Sequence, residues 1–165
     1  MNKKICDSKA VIQVIGSIYQ NPELLDNEQY NFNEDDFPMD FHKVMFGSIY
    51  NLHALGAKSI TVNTIEDYLE QRPQKLAIYK ANNGAEWIDK VKDTVSLATF
   101  DYYYKRLKKF TLLRMYDNIG VDIKSIYDVD NILDLKKKQK QEEWLDNVSI
   151  EEIADKINNK IEDIK

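Results

Sequence analysis

Apolar residues recur at spacings of three and four along most of this chain, and no segment longer than four residues alternates as a strand does, so the pattern writes helices. Val11, Ile12, Val14, Ile15, Ile18 and Tyr19 form one apolar side of a helix over residues 8–20, with Ser8 as its N-cap and Gly16 suited to a close helix crossing. Asn21 caps a second, short helix that starts at Pro22, where the missing N–H costs nothing. Residues 26–36 are acidic, Asn-rich and loop-like. The spacing next predicts a helix from Met39 to Leu55 that buries Phe41, Val44, Met45, Ile49 and Leu52, with Gly56 as a left-handed cap. Thr61 caps a helix over residues 62–71, which Pro73 stops. After an Asn82-Asn83-Gly84 turn, a helix from Ala85 to Lys92 buries Trp87, Ile88 and Val91.

The pattern changes after Ser96. From Leu97 to Tyr127 there is no proline and a single glycine, Gly120. This predicts one helix roughly 45 Å long, more than a compact small domain needs, so part of it should project. Asp128–Asn131 reads as a turn, and Asp130 or Asn131 caps a return helix from Ile132 through the K-K-K-Q-K-Q-E-E run. Together the two helices suggest a protruding hairpin. Trp144–Val148 reads as a linker, and Ser149 with Glu152 forms a capping box for a terminal helix. Ile150, Ile153, Ile157, Ile161 and Ile164 make one stripe along that helix, either an interface for another subunit or a face packed back on its own domain. The expected organisation is all-α in three parts: a helical globule over residues 1–95, a helical hairpin over 96–143, and a linker with an amphipathic helix over 144–165.

Composition narrows this further. The 165 residues suffice for one sizeable domain or a small domain with an appendage, and five glycines with three prolines suit a helical chain with few tight turns. Ten tyrosines suit half-buried and interfacial positions, where a ring is covered and its hydroxyl stays wet. A net charge of -5 argues against non-specific DNA binding by the whole surface, though not against a local basic patch. With Cys6 as the single cysteine no intramolecular disulfide can form, which fits a cytoplasmic location. The start, M-N-K-K-I-C-D, lacks the apolar run of a secretory signal, and no stretch is apolar for long enough to span a membrane.

Candidate chemistry is sparse. His42 and His53 could share a helix side, but a metal needs a third ligand and neither Asp40 nor Cys6 is well placed to supply it. Cys6 has no adjacent base that would make it a nucleophile. The pairs Asp35-Asp36 and Glu151-Glu152 are sequence neighbours, whereas catalytic carboxylates face each other across a cleft. The segment Tyr102–Arg114 interleaves aromatics with Lys105, Arg106, Lys108, Lys109 and Arg114, a mixture that can hold single strands by stacking and phosphate attraction. The plainer reading, preferred here, is a packing seam of Phe100, Tyr103, Leu107, Phe110 and Arg114 used for self-association, with the lysines solvated. The Lys136–Lys140 run reads as a solvated helix face.

Four blocks then fall in a suggestive order: S-K-A-V-I-Q-V-I-G-S-I-Y-Q-N-P-E-L-L at Ser8–Leu25, E-D-D-F at Glu34–Phe37, D-F-H-K-V-M-F-G-S-I-Y-N-L at Asp40–Leu52, and Y-Y-K-R-L-K-K-F-T-L-L-R at Tyr103–Arg114. This order resembles the N-terminal domain, with its linker helix, of DnaB-like hexameric replicative DNA helicases, whether encoded by a cell or a phage. The resemblance implies a helical globule followed by a hairpin. Hairpins pair into dimers, and three dimers form a collar above the motor ring. It implies as partners other copies of the chain, up to a hexamer in the full-length protein, the C-terminal domain of a primase, a helicase loader, and a neighbouring motor domain. On that motor domain the helix carrying Ile150, Ile153, Ile157, Ile161 and Ile164 would dock. DNA and membranes are not expected partners of this part.

The family's motor needs G-x-x-x-x-G-K-[ST], because glycine N–H groups wrap the phosphates and the lysine reaches them. Glycines at 16, 47, 56, 84 and 120 never show that spacing. No catalytic site and no cofactor are therefore expected here, ATP and Mg belonging to the motor. Two other readings remain from the sequence: a stand-alone regulator or decoy that copies this domain and binds a host primase or helicase, and the helicase-binding domain of a primase. Against the latter, Met1 lies only seven residues before the first helix.

Overall fold

The computed structural model describes residues 4–130 and 134–164, with the side chains of residues 163 and 164 left aside. The chain is all-α. Its helices are α1 (Ser8–Gln20), α2 (Asp40–Ala54), α3 (Val62–Glu70), α4 (Pro73–Ala81), α5 (Gly84–Val91), α6 (Phe100–Asn118), α7 (Leu135–Asn147) and α8 (Ile150–Ile164), with short 3-10 turns at Pro22–Asp26, Glu34–Asp36, Lys92–Thr94 and Leu97–Thr99. The chain divides into two compact units, one of Ser8–Tyr104 and one of Met1–Asp7 with Lys105–Lys165, so α6 supplies residues to both.

In the unit Ser8–Tyr104, α1 packs on α2 and α5, and α2 packs on α3 and α4. Val14, Ile15 and Ile18 of α1, Phe37, Met45 and Ile49, Ile65 and Leu69 of α3, and Ile88 of α5 are all fully buried. Gly16 does serve a close crossing: a Cβ there would lie 2.6 Å from methyl carbons of both Val91 and Val95. Gly56, at φ +84°, closes α2 by donating to the His53 carbonyl while Ala57 donates to that of Leu52, a left-handed cap of the expected kind. Thr61 accepts from the Thr64 amide at 3.3 Å, and Thr64 Oγ1 accepts from the Thr61 amide at 2.7 Å, which starts α3.

Two elements of this unit differ from the expectation. Pro22 opens a 3-10 turn, and Asn21 gives it no side-chain cap. Pro73 not only ends α3 but occupies the first turn of α4, a helix the pattern does not announce because its apolar positions form no clear stripe. Tyr79 of α4 is buried, donates its hydroxyl to Glu66 at 3.0 Å, and lies flat against bare Gly84.

The second unit surrounds its own core of Ile5, Phe110, Leu113, Ile123, Ile126, Tyr127, Leu145, Val148, Ile153 and Ile157. Here the expectation needs three corrections. The long helix ends at Asn118, not near Tyr127, because Gly120 takes φ +93° and donates to the Asp117 carbonyl while Val121 donates to that of Tyr116. This is the hydrogen-bond pattern of a glycine stop, and α6 is about 28 Å long at about 1.5 Å per residue. The return helix starts at Leu135 and is capped by Asp134, whose side chain accepts from the Lys137 amide at 3.0 Å. Asp128 Oδ1 instead accepts from the Asp130 amide, while Asn131 and Ile132 lie outside the described residues. Trp144–Val148 is no linker: α7 runs through Trp144 to Asn147, and Leu145 and Val148 are core. Ser149 does cap α8, accepting from the Glu152 amide at 3.0 Å.

Candidate interaction surfaces

The residues expected to form a self-association seam fall in both units, and four of the five are buried. Phe100 is 2% exposed and meets Tyr30 edge-on, ring centroids 4.8 Å apart. Tyr103 is half-buried beneath Lys9, whose ammonium stands 5.9 Å from the ring centroid. In the second unit Leu107 and Phe110 are buried, and Phe110 packs edge-on against Tyr127. Arg114 is enclosed, its guanidinium donating to the Ile5 carbonyl at 2.7 Å and to Thr111 Oγ1 at 3.1 Å. The periodicity found a seam, and the chain spends most of that seam on itself. The large apolar side chains left exposed are Tyr102 of α6 in the first unit, and in the second Met115 of α6 and Ile119 just beyond its end.

The basic residues of α6 are likewise largely spent. Arg106, 8% exposed, gathers three carboxylates: Nε donates to Asp7 at 2.6 Å, Nη2 to Glu142 at 2.8 Å and Nη1 to Asp146 at 2.5 Å. Burial alone would lower its pKa, but the three carboxylate hydrogen bonds outweigh burial and raise it, so the guanidinium is permanently charged. Glu142 also accepts from the Tyr127 hydroxyl. Burial and that bond push the Tyr127 pKa up. Lys109 is buried and donates to the Leu145 carbonyl at 2.7 Å near the C-terminal end of α7, where a cation is favoured by the helix dipole. Burial lowers its pKa, with Asp146 working against the shift. Arg106, Lys109 and Arg114 are therefore withdrawn from any nucleic-acid contact by this segment.

On α8, Ile153 and Ile157 are fully buried in the second unit's core, Ile161 packs partly against it, and Ile150 is half-buried. The Ile164 side chain lies outside the described residues. The stripe thus has a partner within its own unit.

The histidines part company. His53 Nε2 lies 2.9 Å from Asp26 on the surface, whereas His42 is mostly enclosed beside Phe41 and Trp87, with no hydrogen-bond partner at Nδ1 among the described residues. Burial lowers the His42 pKa. Cys6 is half-buried, and burial raises its thiol pKa despite the nearby Arg114 charge, the reverse of an activated nucleophile. Asp36 is buried and accepts from the Asn33 amide at 3.0 Å. Among the described residues no three His, Cys, Asp or Glu side chains gather as metal ligands do, and no helix is long and apolar enough to cross a membrane.

One surface escaped sequence reasoning. A cleft of about 550 Å³ opens in the first unit between α2, α4 and the segment before α2, lined among others by Phe32, Phe46, Gly47, Tyr50 and Ile78. Its signal in the sequence was Gly47, a helix-interior glycine.

The family model of the DnaB-like helicase N terminal domain matches residues 5–109. The SPbeta prophage-derived uncharacterized protein YorI of Bacillus subtilis (strain 168) is 41% identical over 160 residues, which cover 96% of this chain and 32% of that protein. The chain thus spans about a third of the length of this relative. No solved structure matches.

Proposed function

The chain belongs to the DnaB-like helicase N-terminal domain family, and from that premise we propose that it is the collar domain of a replicative helicase, which holds copies of the chain together and recruits a primase or loader. These 165 residues carry the scaffold domain and not the ATPase motor. The observation that carries the reading is the family match over residues 5–109, joined to glycines that never adopt phosphate-loop spacing. The prophage origin of the relative supports placing the chain in phage DNA replication.

Self-association on this reading uses what the fold leaves exposed, Met115 and Ile119, rather than the enclosed Leu107 and Phe110. On α8 the half-buried Ile150 and Ile161 are the positions left for a neighbouring motor domain. Light scattering over a concentration series, followed by capture of the C-terminal domain of the cognate primase, tests the proposal. Dimers or larger species that retain the primase domain support it. A strict monomer that retains neither primase nor loader would refute it.

A further inference from the structure

Gly47 stands in the middle of α2, where glycine is the least favourable residue short of proline. Elsewhere in the unit, Gly16 and Gly84 are required because a Cβ would strike Val91, Val95 or Tyr79. At Gly47 a Cβ would meet nothing within 4 Å, and the backbone is ordinary helix. Neither internal packing nor conformation calls for glycine there. What its bare Cα does is leave the cleft wall open, as when another backbone or a ligand must come close.

The wall itself is a helix-long stripe. Asp40, Lys43, Val44, Gly47, Tyr50 and Asn51 follow spacings of three and four along α2, over about 16 Å at about 1.5 Å per residue. Phe32, Phe46 and Ile78 supply apolar surface around it, over the fully buried Phe37. The polar groups sort into spent and unspent. Lys43 Nζ donates to the Glu34 carbonyl at 2.9 Å and to that of Phe37 at 2.5 Å. Asn51 donates to the Tyr68 hydroxyl at 2.7 Å. The carboxylates of Glu34 and Asp40, both exposed, have no hydrogen bond or ion pair among the described residues, and exposed Lys75 on α4 is in the same position. The unspent groups therefore stand at the rim with an excess of negative charge, over an apolar floor. A small polar ligand would need converging polar groups inside the site, whereas an apolar floor with a charged rim suits a helix laid in a groove.

We propose that the cleft over Gly47 docks an amphipathic helix of a partner protein, its apolar side chains seated among Phe32, Phe46, Tyr50 and Ile78 and its basic side chains facing Glu34 and Asp40. The inference stands on the first unit alone and does not require the collar reading.

The test uses the whole 165-residue chain and a fluorescent 18-residue designed helix with Leu and Phe at spacings of three and four, flanked by Lys and Arg. A control peptide carries Glu in place of every Lys and Arg. Anisotropy should show the basic peptide binding at least tenfold more tightly than the acidic one. Gly47→Leu, which fills the cleft from its wall, should weaken the basic peptide at least tenfold without lowering the thermal midpoint. Glu34→Gln with Asp40→Asn should narrow the gap between the peptides. Equal binding of the two peptides, binding of neither, or basic-peptide binding indifferent to Gly47→Leu would overturn the proposal. So would self-association of the chain that Gly47→Leu abolishes, since the occupant would then be a second copy.

Discussion

Arg106 shows how much one buried charge can organise. Its guanidinium joins the N-terminal segment through Asp7 to α7 through Glu142 and Asp146, all within the second unit. Arg106→Met would leave three carboxylates facing one another. The expected cost is about 3 kcal/mol, the low end for a broken buried pair because Glu142 and Asp146 keep part of their water. Arg106→Lys should recover only a fraction, since a point charge cannot serve three directions at once. Urea denaturation of the two variants checks both outcomes. His42 sets a pH dependence instead. Its folded pKa is depressed, so the unfolded chain takes up the proton at the higher pH. Its contribution to stability is whole above the ordinary histidine value of about 6.5 and is lost as pH falls through that value toward the folded pKa. His42→Gln should flatten stability measured between about pH 7 and about pH 5; an unchanged slope would show that His42 takes up its proton without penalty.

At the scale of elements, the second unit depends on where its helices stop. The glycine stop at Gly120 turns the chain so that Ile123, Ile126 and Tyr127 return to the core, which one continuous helix could not do. α7 begins against its own dipole, with Lys136, Lys137 and Lys138 in the first turn where cations are disfavoured; the Asp134 cap offsets part of this cost. α8 is held by burial. Ile157→Ala, at a fully buried position, should destabilise the second unit by about 2–4 kcal/mol, whereas Ile150→Ala at a half-buried position should cost much less. Thermal melts of the two variants compare them directly. Equal and small losses would mean that the α8 stripe adds little to the core.

At the scale of the whole molecule, the proposed contact between copies uses residues at the end of α6 and just beyond it, Met115 and Ile119, and not those spent on internal packing. Leu107→Asp places a charge at a position only 3% exposed, and should lower helix content and the thermal midpoint before it affects any contact between copies. Met115→Asp with Ile119→Asp changes side chains that are 49% and 70% exposed, and should leave the fold intact while shifting the light-scattering mass downward. If instead the double variant assembles as the parent chain does, Met115 and Ile119 carry no contact between copies.

The sequence by itself determined the helical class, the family, and the helices with a clear stripe and a capping residue, because periodicity and local hydrogen bonding are properties of a short segment. α1, α2, α3, α5 and α8 lie close to where their apolar positions and caps place them. α4 escaped because its apolar positions make no stripe, and the end of α6 was misjudged because a lone glycine can be carried through a helix as readily as it can stop one. The seam on α6 and the stripe on α8 were both legible as apolar faces. Whether such a face meets its own chain or another's is not written in its spacing. Only the tertiary structure decided that Leu107, Phe110, Ile153 and Ile157 are spent internally, that Arg106 is a buried clamp rather than a solvated cation, and that Gly47 fronts an open cleft. The physical reason is common to all three: burial of a face depends on which distant segments are brought against it, and that is settled by the packing of the whole unit.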